Sequence, residues 1–181
     1  SDTHALFLDP FVWHSFLSAI RDLRPDIVFL NGDIIEGSEI SRHVKIPGWL
    51  VQLQTEFDFA REMFRQIRAV GFDSDLWWGA GNHGLDRVAS YLSMVAPALA
   101  SLDSMRFDRL VDLGGLHVKL AQSGTIASPR GQENFKAGLL LYNFYRIHHG
   151  TKLGQTPALA ELRDAMYSGQ SGHVHRASVI Y

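Results

Sequence analysis

At 181 residues, with 46% apolar and 20% charged side chains, the chain has the size and composition of one soluble globular domain. It contains no cysteine, which excludes disulfides and thiolate metal sites and leaves oxygen and imidazole as the available metal-binding chemistry. A formal net charge of −2 supplies no general field for polyanions, no apolar run approaches the roughly 18 residues of a membrane span, and no leader pattern opens the chain, so a cytoplasmic protein without membrane association is expected.

In chain order, Asp9-Pro10 has the form of a helix N-cap followed by proline in the first turn. Val12, Phe16, Ile20 and Leu23 then recur at helical spacing, and Pro25 closes the segment. Ile27 to Leu30 is a short apolar run that predicts a buried strand, and it ends in Asn31-Gly32-Asp33. Leu50, Leu53, Phe57, Ala60, Phe64 and Ile67 form one stripe of a second helix, with Gly71 at its C-terminal cap. A strand around Leu76 to Trp78 leads into Gly79-Ala80-Gly81-Asn82-His83, with the two tryptophans expected on opposite faces as strand packing. Leu85, Val88, Leu92 and Val95 give a third helical face that Pro97 breaks. Leu116 to Ala121 and Leu139 to Ile147 read as strands, Ala158 to Met166 as a helix, and Val179 to Tyr181 as an extended piece. The segment from Ser123 to Asn134, with Gly124, Pro129 and Gly131, predicts a surface loop. There is no internal repeat or linker, so a single α/β domain over residues 1–181 is expected.

The chemistry-bearing residues gather at the ends of the predicted strands. Asp2-x-His4 opens the chain, Gly32-Asp33-Ile34-Ile35-Glu36 and Gly81-Asn82-His83 follow two strands, His148-His149-Gly150 follows another, and Gly172-His173-Val174-His175 lies near the end. In an open α/β sheet the ligand crevice lies beyond the carboxyl ends of the strands, so segments distant in sequence can deliver groups to one place. Residues two apart in an extended segment, such as Asp2 and His4 or His173 and His175, face the same side. The neighbouring glycines permit tight turns and close backbone approach.

The order D-x-H, G-D-x-x-[DE], G-N-H, H-G, G-H-x-H resembles the signature series of the calcineurin-like metallophosphoesterases, and it spans nearly the whole chain. Asp86-Arg87, Tyr91-Leu92, Ala96-Pro97 and His149-Gly150-Thr151 are similar to a small phosphoesterase subgroup common in phage genomes. The resemblance implies a layered β-sandwich flanked by helices and two divalent metal ions such as manganese, iron or zinc. It implies a hydrolase of phosphomonoesters or phosphodiesters that uses a hydroxide bridging the metals as nucleophile. By the same resemblance Asp2, His4 and His175 hold the first metal, Asn82, one of the His148/His149 pair and His173 hold the second, and Asp33 bridges both. His149 is the favoured member of its pair, because the family's ligand directly precedes glycine. His83 is implied as the proton donor to the leaving group, with Glu36 as its carboxylate partner. With only Asp2 and Asp33 negative among these ligands, two divalent cations keep a positive centre suited to a phosphate.

His14, His43 and His117 lie outside the motifs and are expected to be surface or packing residues. Arg42, His43, Lys45 and Trp49 follow the Asp33 loop and Arg130 lies in the predicted long loop; each is expected to be solvated rather than bound to substrate. Two features depart from the family pattern. Gly84 stands where an acid usually follows G-N-H, leaving Asp86 or a neighbour to supply that contact. The family also places a strand before D-x-H and further strands after G-H-x-H, so the native protein is expected to extend beyond one or both ends. A small phosphoester is the expected substrate. A DNA nuclease is the alternative within the enzyme class, and a lapsed metal-binding interaction module is the alternative outside it; an intact His83 beside intact ligands weighs against the latter.

Overall fold

A computed structural model describes residues 2–4, 7–45, 48, 50–71, 73–79, 81–121, 124–128, 131–135, 138–142, 145–150, 152, 156–165 and 168–173. Helix α1 (Pro10–Leu23) starts where the Asp9 carboxylate accepts the amides of Phe11 and Val12 at 2.8 and 3.1 Å, a cap that contributes about 1 kcal/mol. It ends at Arg24, whose left-handed φ of 46° lets its N–H close on the Ile20 carbonyl. The face it buries differs from the one the spacing predicts. Trp13 and Ile20 are inside, whereas Val12 and Leu23 are 60% and 78% exposed. Trp13 decides the rotation: it is the largest apolar group on the helix, and its indole N–H donates to Gln66 Oε1 at 2.6 Å on the neighbouring helix.

That neighbour, α2 (Leu53–Val70), begins after Leu50, which stays exposed, and buries Glu56, Phe57, Ala60, Met63, Phe64 and Ile67. Gly71 closes it, though not through a left-handed backbone. Its φ is −133°, and a Cβ there would sit 2.6 Å from Ile20 Cγ2, so the glycine serves the close approach of α1.

Strands β1 (Ile27–Asn31), β2 (Asp75–Gly79) and β3 (Val118–Leu120) form a parallel sheet in that order. Trp78 is fully buried from β2 between Phe64 and Phe107, with ring centroids 5.4 and 5.1 Å away. Trp77 points to the opposite face, beneath the Lys119 ammonium. After β2 the chain makes a π-helical turn (Asn82–Asp86) before α3 (Arg87–Val95). Pro97 both ends that run and opens a short α4 (Pro97–Ala100) in the first-turn position proline tolerates. Helix α5 (Phe107–Leu110), which the periodicity does not reveal, supplies Phe107 to the core.

The later chain departs furthest from expectation. The predicted loop over Ser123 to Asn134 contains an antiparallel hairpin, β4 (Gly124–Ser128) with β5 (Gly131–Phe135). The single strand predicted from Leu139 to Ile147 is two, β6 (Gly138–Leu141) and β7 (Tyr145–His148), paired antiparallel, with Tyr142 turning at φ 53°. Helix α6 (Pro157–Ala165) leads to β8 (Ser168–Ser171), a polar strand without apolar alternation that pairs parallel with β7. The extended piece expected at Val179 to Tyr181 lies outside the described residues. The architecture is mixed α/β, with two three-stranded sheets and a two-stranded ribbon among the described residues. No helix among them is long and apolar enough to cross a membrane.

Candidate metal centre

Strand register brings the motifs together, and it does so twice. In the first sheet Asn31 is paired with Gly79, so the parallel strands β1 and β2 end side by side and release Gly32-Asp33 and Gly81-Asn82-His83 next to each other. In the second, His148 is paired with Ser171, so β7 and β8 release His149-Gly150 and Gly172-His173 in the same way. The two sheet ends are stitched together by Asn31, whose buried side-chain amide donates to the His148 carbonyl at 2.8 Å. A backbone bond, Gly172 N–H to the His149 carbonyl at 2.9 Å, fixes the two loops of the second sheet.

Asp33 lies at the centre and is nearly fully buried. Its Oδ1 accepts the His83 amide at 2.9 Å and its Oδ2 lies 3.0 Å from His149 Nε2. That same nitrogen is 3.1 Å from Asn82 Oδ1, while His149 Nδ1 lies 3.7 Å from Asp2 Oδ1. Asp2 in turn accepts the His173 amide on both oxygens, at 3.2 and 3.1 Å. On the other side His4, whose amide donates to the Asp33 carbonyl at 2.8 Å, places Nδ1 2.6 Å from Glu36 Oε2. Glu36 offers its second oxygen to His83 Nδ1 at 3.2 Å and to Arg87 Nη1 at 3.6 Å. Of these groups His4, Asp33, Glu36, His83 and His173 face a cleft of about 370 Å³, which Phe7 and Ser38 also line.

The backbone bends to make this arrangement. Asp2, His4 and His173 all have left-handed φ, at 54°, 40° and 77°. Such strain costs on the order of 1 kcal/mol or more per residue and persists where the surroundings over-determine it, commonly at functional sites. Two glycines supply room. A Cβ at Gly32, itself at φ 85°, would overlap the His149 ring, and one at Gly81 would overlap the Asp33 carboxylate.

Burial works against charge on Asp33, but the His149 imidazole and the His83 amide outweigh it and hold the carboxyl below its ordinary range. Glu36 behaves the same way more strongly: burial raises it, and His4 and His83 together pull it far down. His4 and His149 move in the complementary direction. Burial lowers each, but hydrogen bonds and charge from Glu36 for His4, and from Asp33 for His149, leave both raised. The buried carboxylates thus draw positive charge to this spot, and a divalent cation is the natural competitor for those imidazole protons.

The adjacent histidines at the end of β7 part company. His149 turns to Asp33 and Asn82, whereas His148 Nε2 lies 3.5 Å from Glu161 and its Nδ1 lies 3.4 Å from Arg146. Burial and the Arg146 charge push His148 down to about 4, so it sits in the fold as a neutral imidazole.

Among the described residues, three groups of side chains have ligand atoms within 4.8 Å of one another: Asp2, His4 and Asp33; Asp33, His149 and His173; and His4, Glu36 and His83. Their donors are carboxylate oxygen and imidazole nitrogen without thiolate, a set suited to manganese, iron, zinc and similar divalent ions. Each group could hold a metal ion. Of the residues expected at the site, Asp2, His4, Asp33, Glu36, Asn82, His83, His149 and His173 are all in this neighbourhood. His175 lies outside the described residues, as do Trp49 and Arg130. Arg42 and Lys45 turn back onto the protein, at Ser90 Oγ and the Glu39 carbonyl, and neither lines the cleft. Asp86 lies in the turn after Asn82, and Arg87 is the side chain there that reaches Glu36.

Sequence patterning assigns no site role to Phe7, Ser38 or Glu56, and it notes Arg87 only as part of the Asp86-Arg87 resemblance, without a contact to Glu36. Phe7 and Ser38 carry no motif. Glu56 had a visible signal, because a carboxylate at the spacing Leu53, Glu56, Ala60, Met63, Ile67 falls on the buried stripe of α2. Comparisons with protein-family models, curated proteins and solved structures find no match.

Proposed function

We propose that the chain is a two-metal phosphoesterase of the calcineurin-like type, acting on small phosphomonoesters or phosphodiesters. The observation that carries this reading is that Asp33 belongs to two adjacent ligand groups, one with Asp2 and His4 and the other with His149 and His173. A carboxylate shared by two donor sets is what a bridged pair of cations requires. Asp2, His4 and Asp33 would hold one ion, joined by His175 as the family resemblance implies, and Asp33, Asn82, His149 and His173 would hold the other. His4 gives Nδ1 to Glu36, so its ligating nitrogen would be Nε2. In the family's terms the two three-stranded sheets would be the layers of a sandwich, with the site across their strand ends.

Two divalent ions would supply Lewis acidity toward phosphoryl oxygens and lower the pKa of a water. The chain's own residues do the rest. Among the proposed ligands only Asp2 and Asp33 are negative, so two divalent ions held there would leave a net positive charge for a phosphate, while the Glu36 carboxylate faces His4, His83 and Arg87. His83, facing the cleft with its Nδ1 fixed by Glu36, is placed to give a proton to the leaving oxygen. Arg87 binds both the Glu36 carbonyl and its carboxylate, and so holds that acid in place.

The test is a chelated and metal-restored sample assayed on aryl phosphate monoesters and diesters, single-stranded DNA and duplex DNA. Chelation should abolish turnover, manganese or a similar ion should restore it, and small esters should outpace duplex DNA. Reloading should weaken as pH falls through the raised His4 and His149 values, because protons then compete for the ligands. Turnover that survives complete metal removal would overturn the reading. Efficient, steeply salt-dependent DNA cleavage would replace the substrate class with a nuclease's, since that dependence reports phosphate contacts by lysine and arginine.

A further inference from the structure

Glu56 is 0% exposed in the middle of α2, a place where an unassisted carboxylate is costly. Its Oε2 accepts the Glu36 amide at 2.6 Å and the Gly37 amide at 2.8 Å, while Oε1 has no hydrogen-bond partner. The carboxyl therefore touches the turn that follows the Asp33 motif, at the residue whose side chain spans His4 and His83. Gly37 takes a left-handed φ of 61°, one of several conformations open to glycine, so bonds from outside the turn are what select it. Burial drives the Glu56 carboxyl upward, and the Gly37, Glu36 and Ser38 amides offset this in part. An apolar residue would fill the same position on this stripe without that cost, so the polar group is explained by what it binds.

We propose that Glu56 is a positioning residue of the site: it clamps the Glu36–Gly37 backbone so that the Glu36 carboxylate presents one oxygen to His4 and the other to His83. It touches neither substrate nor the reacting atoms, and its effect on turnover passes through Glu36. The activity side of this inference rests on the phosphoesterase reading; the structural side does not.

The experiment compares Glu56→Gln, Glu56→Asp and Glu56→Leu. Glutamine keeps the chain length and one carbonyl acceptor, whereas aspartate keeps the charge but withdraws it by one methylene, and leucine removes it. Amide hydrogen exchange at Glu36 and Gly37 should stay slow in the wild type and Glu56→Gln and become fast in Glu56→Asp and Glu56→Leu. With metals saturating, Glu56→Gln should keep most activity, while Glu56→Asp should lose on the order of 10-fold in kcat on alkyl phosphates with KM little changed. Its loss on nitrophenyl esters should be smaller, because their leaving group needs no proton. Adding Glu56→Asp to Glu36→Gln should then cost little beyond Glu36→Gln alone, as expected for a residue that acts through the other. A general packing role would lower both substrates equally and leave the double variant additive, and either result would overturn the proposal. Should Glu56→Leu fail to fold, Glu56→Asp decides alone. Should the wild type hydrolyse no phosphoester, the phosphoesterase reading fails by itself, and unchanged exchange at Glu36 and Gly37 in Glu56→Asp would separately sink the clamp.

Discussion

Asp33→Asn should empty both metal positions and lower turnover on the order of 10³-fold or more, the scale set by losing several kcal/mol of Lewis-acid stabilisation. The fold itself should survive. Asparagine keeps a side-chain oxygen to accept the His83 amide, and its amide group can donate to His149 Nε2 where the carboxylate stood. What it cannot do is bridge, because a neutral amide is a poor shared ligand for two cations. Elemental analysis of the purified variant is the check. Two metals per chain in Asp33→Asn would remove the bridging role, and with it the reason to treat the two ligand groups as one centre.

His83→Ala should separate substrates by their leaving groups. His83 lines the cleft, its amide is held by Asp33, and its Nδ1 is fixed on Glu36 at 3.2 Å, so its ring is oriented without being among the proposed metal ligands. Removing a positioned acid costs typically 10²- to 10⁴-fold where a proton must be delivered, which is the loss expected on alkyl phosphates. Nitrophenyl esters should lose far less, and the metals should stay bound. Glu36→Gln should give a weaker version of the same pattern, but with an added effect that follows from the 2.6 Å contact to His4. Glu36 also orients a proposed ligand, so this variant should need more metal to reach saturation. Equal losses on both substrate types in His83→Ala would show that the histidine positions the phosphate or stabilises developing charge instead of donating a proton.

The sequence shows the ends of the strands better than the strands themselves. Asp33, Asn82, His83 and His149 are legible because each adjoins a glycine just beyond a predicted strand, and His173 because it sits in G-H-x-H; parallel pairing with matched register then forces those segments together. β8 is invisible to patterning because Ser168 to Ser171 has no apolar alternation; its place comes from backbone pairing with β7. The hairpin of β4 and β5 is hidden for a related reason, since Gly124, Pro129 and Gly131 read as loop residues while two of them begin strands. On α1 the spacing of Val12, Phe16, Ile20 and Leu23 suits a helix face, yet the larger Trp13 and its bond to Gln66 turn a different face inward. Glu56 shows the reverse case: its position on the α2 stripe is visible, but its purpose depends on the turn at Glu36 and Gly37, nearly twenty residues away, which only the folded chain brings over it.

Anomalous scattering from crystals equilibrated with manganese would test the two-metal claim most directly. Two peaks about 3.5–4 Å apart, on either side of the Asp33 carboxylate, are predicted, the spacing of two-metal sites that act on phosphates. Beside the shared Asp33, one ligand set should be Asp2, His4 and His175, and the other Asn82, His149 and His173. A single peak, or a pair of peaks without Asp33 between them, would contradict the account.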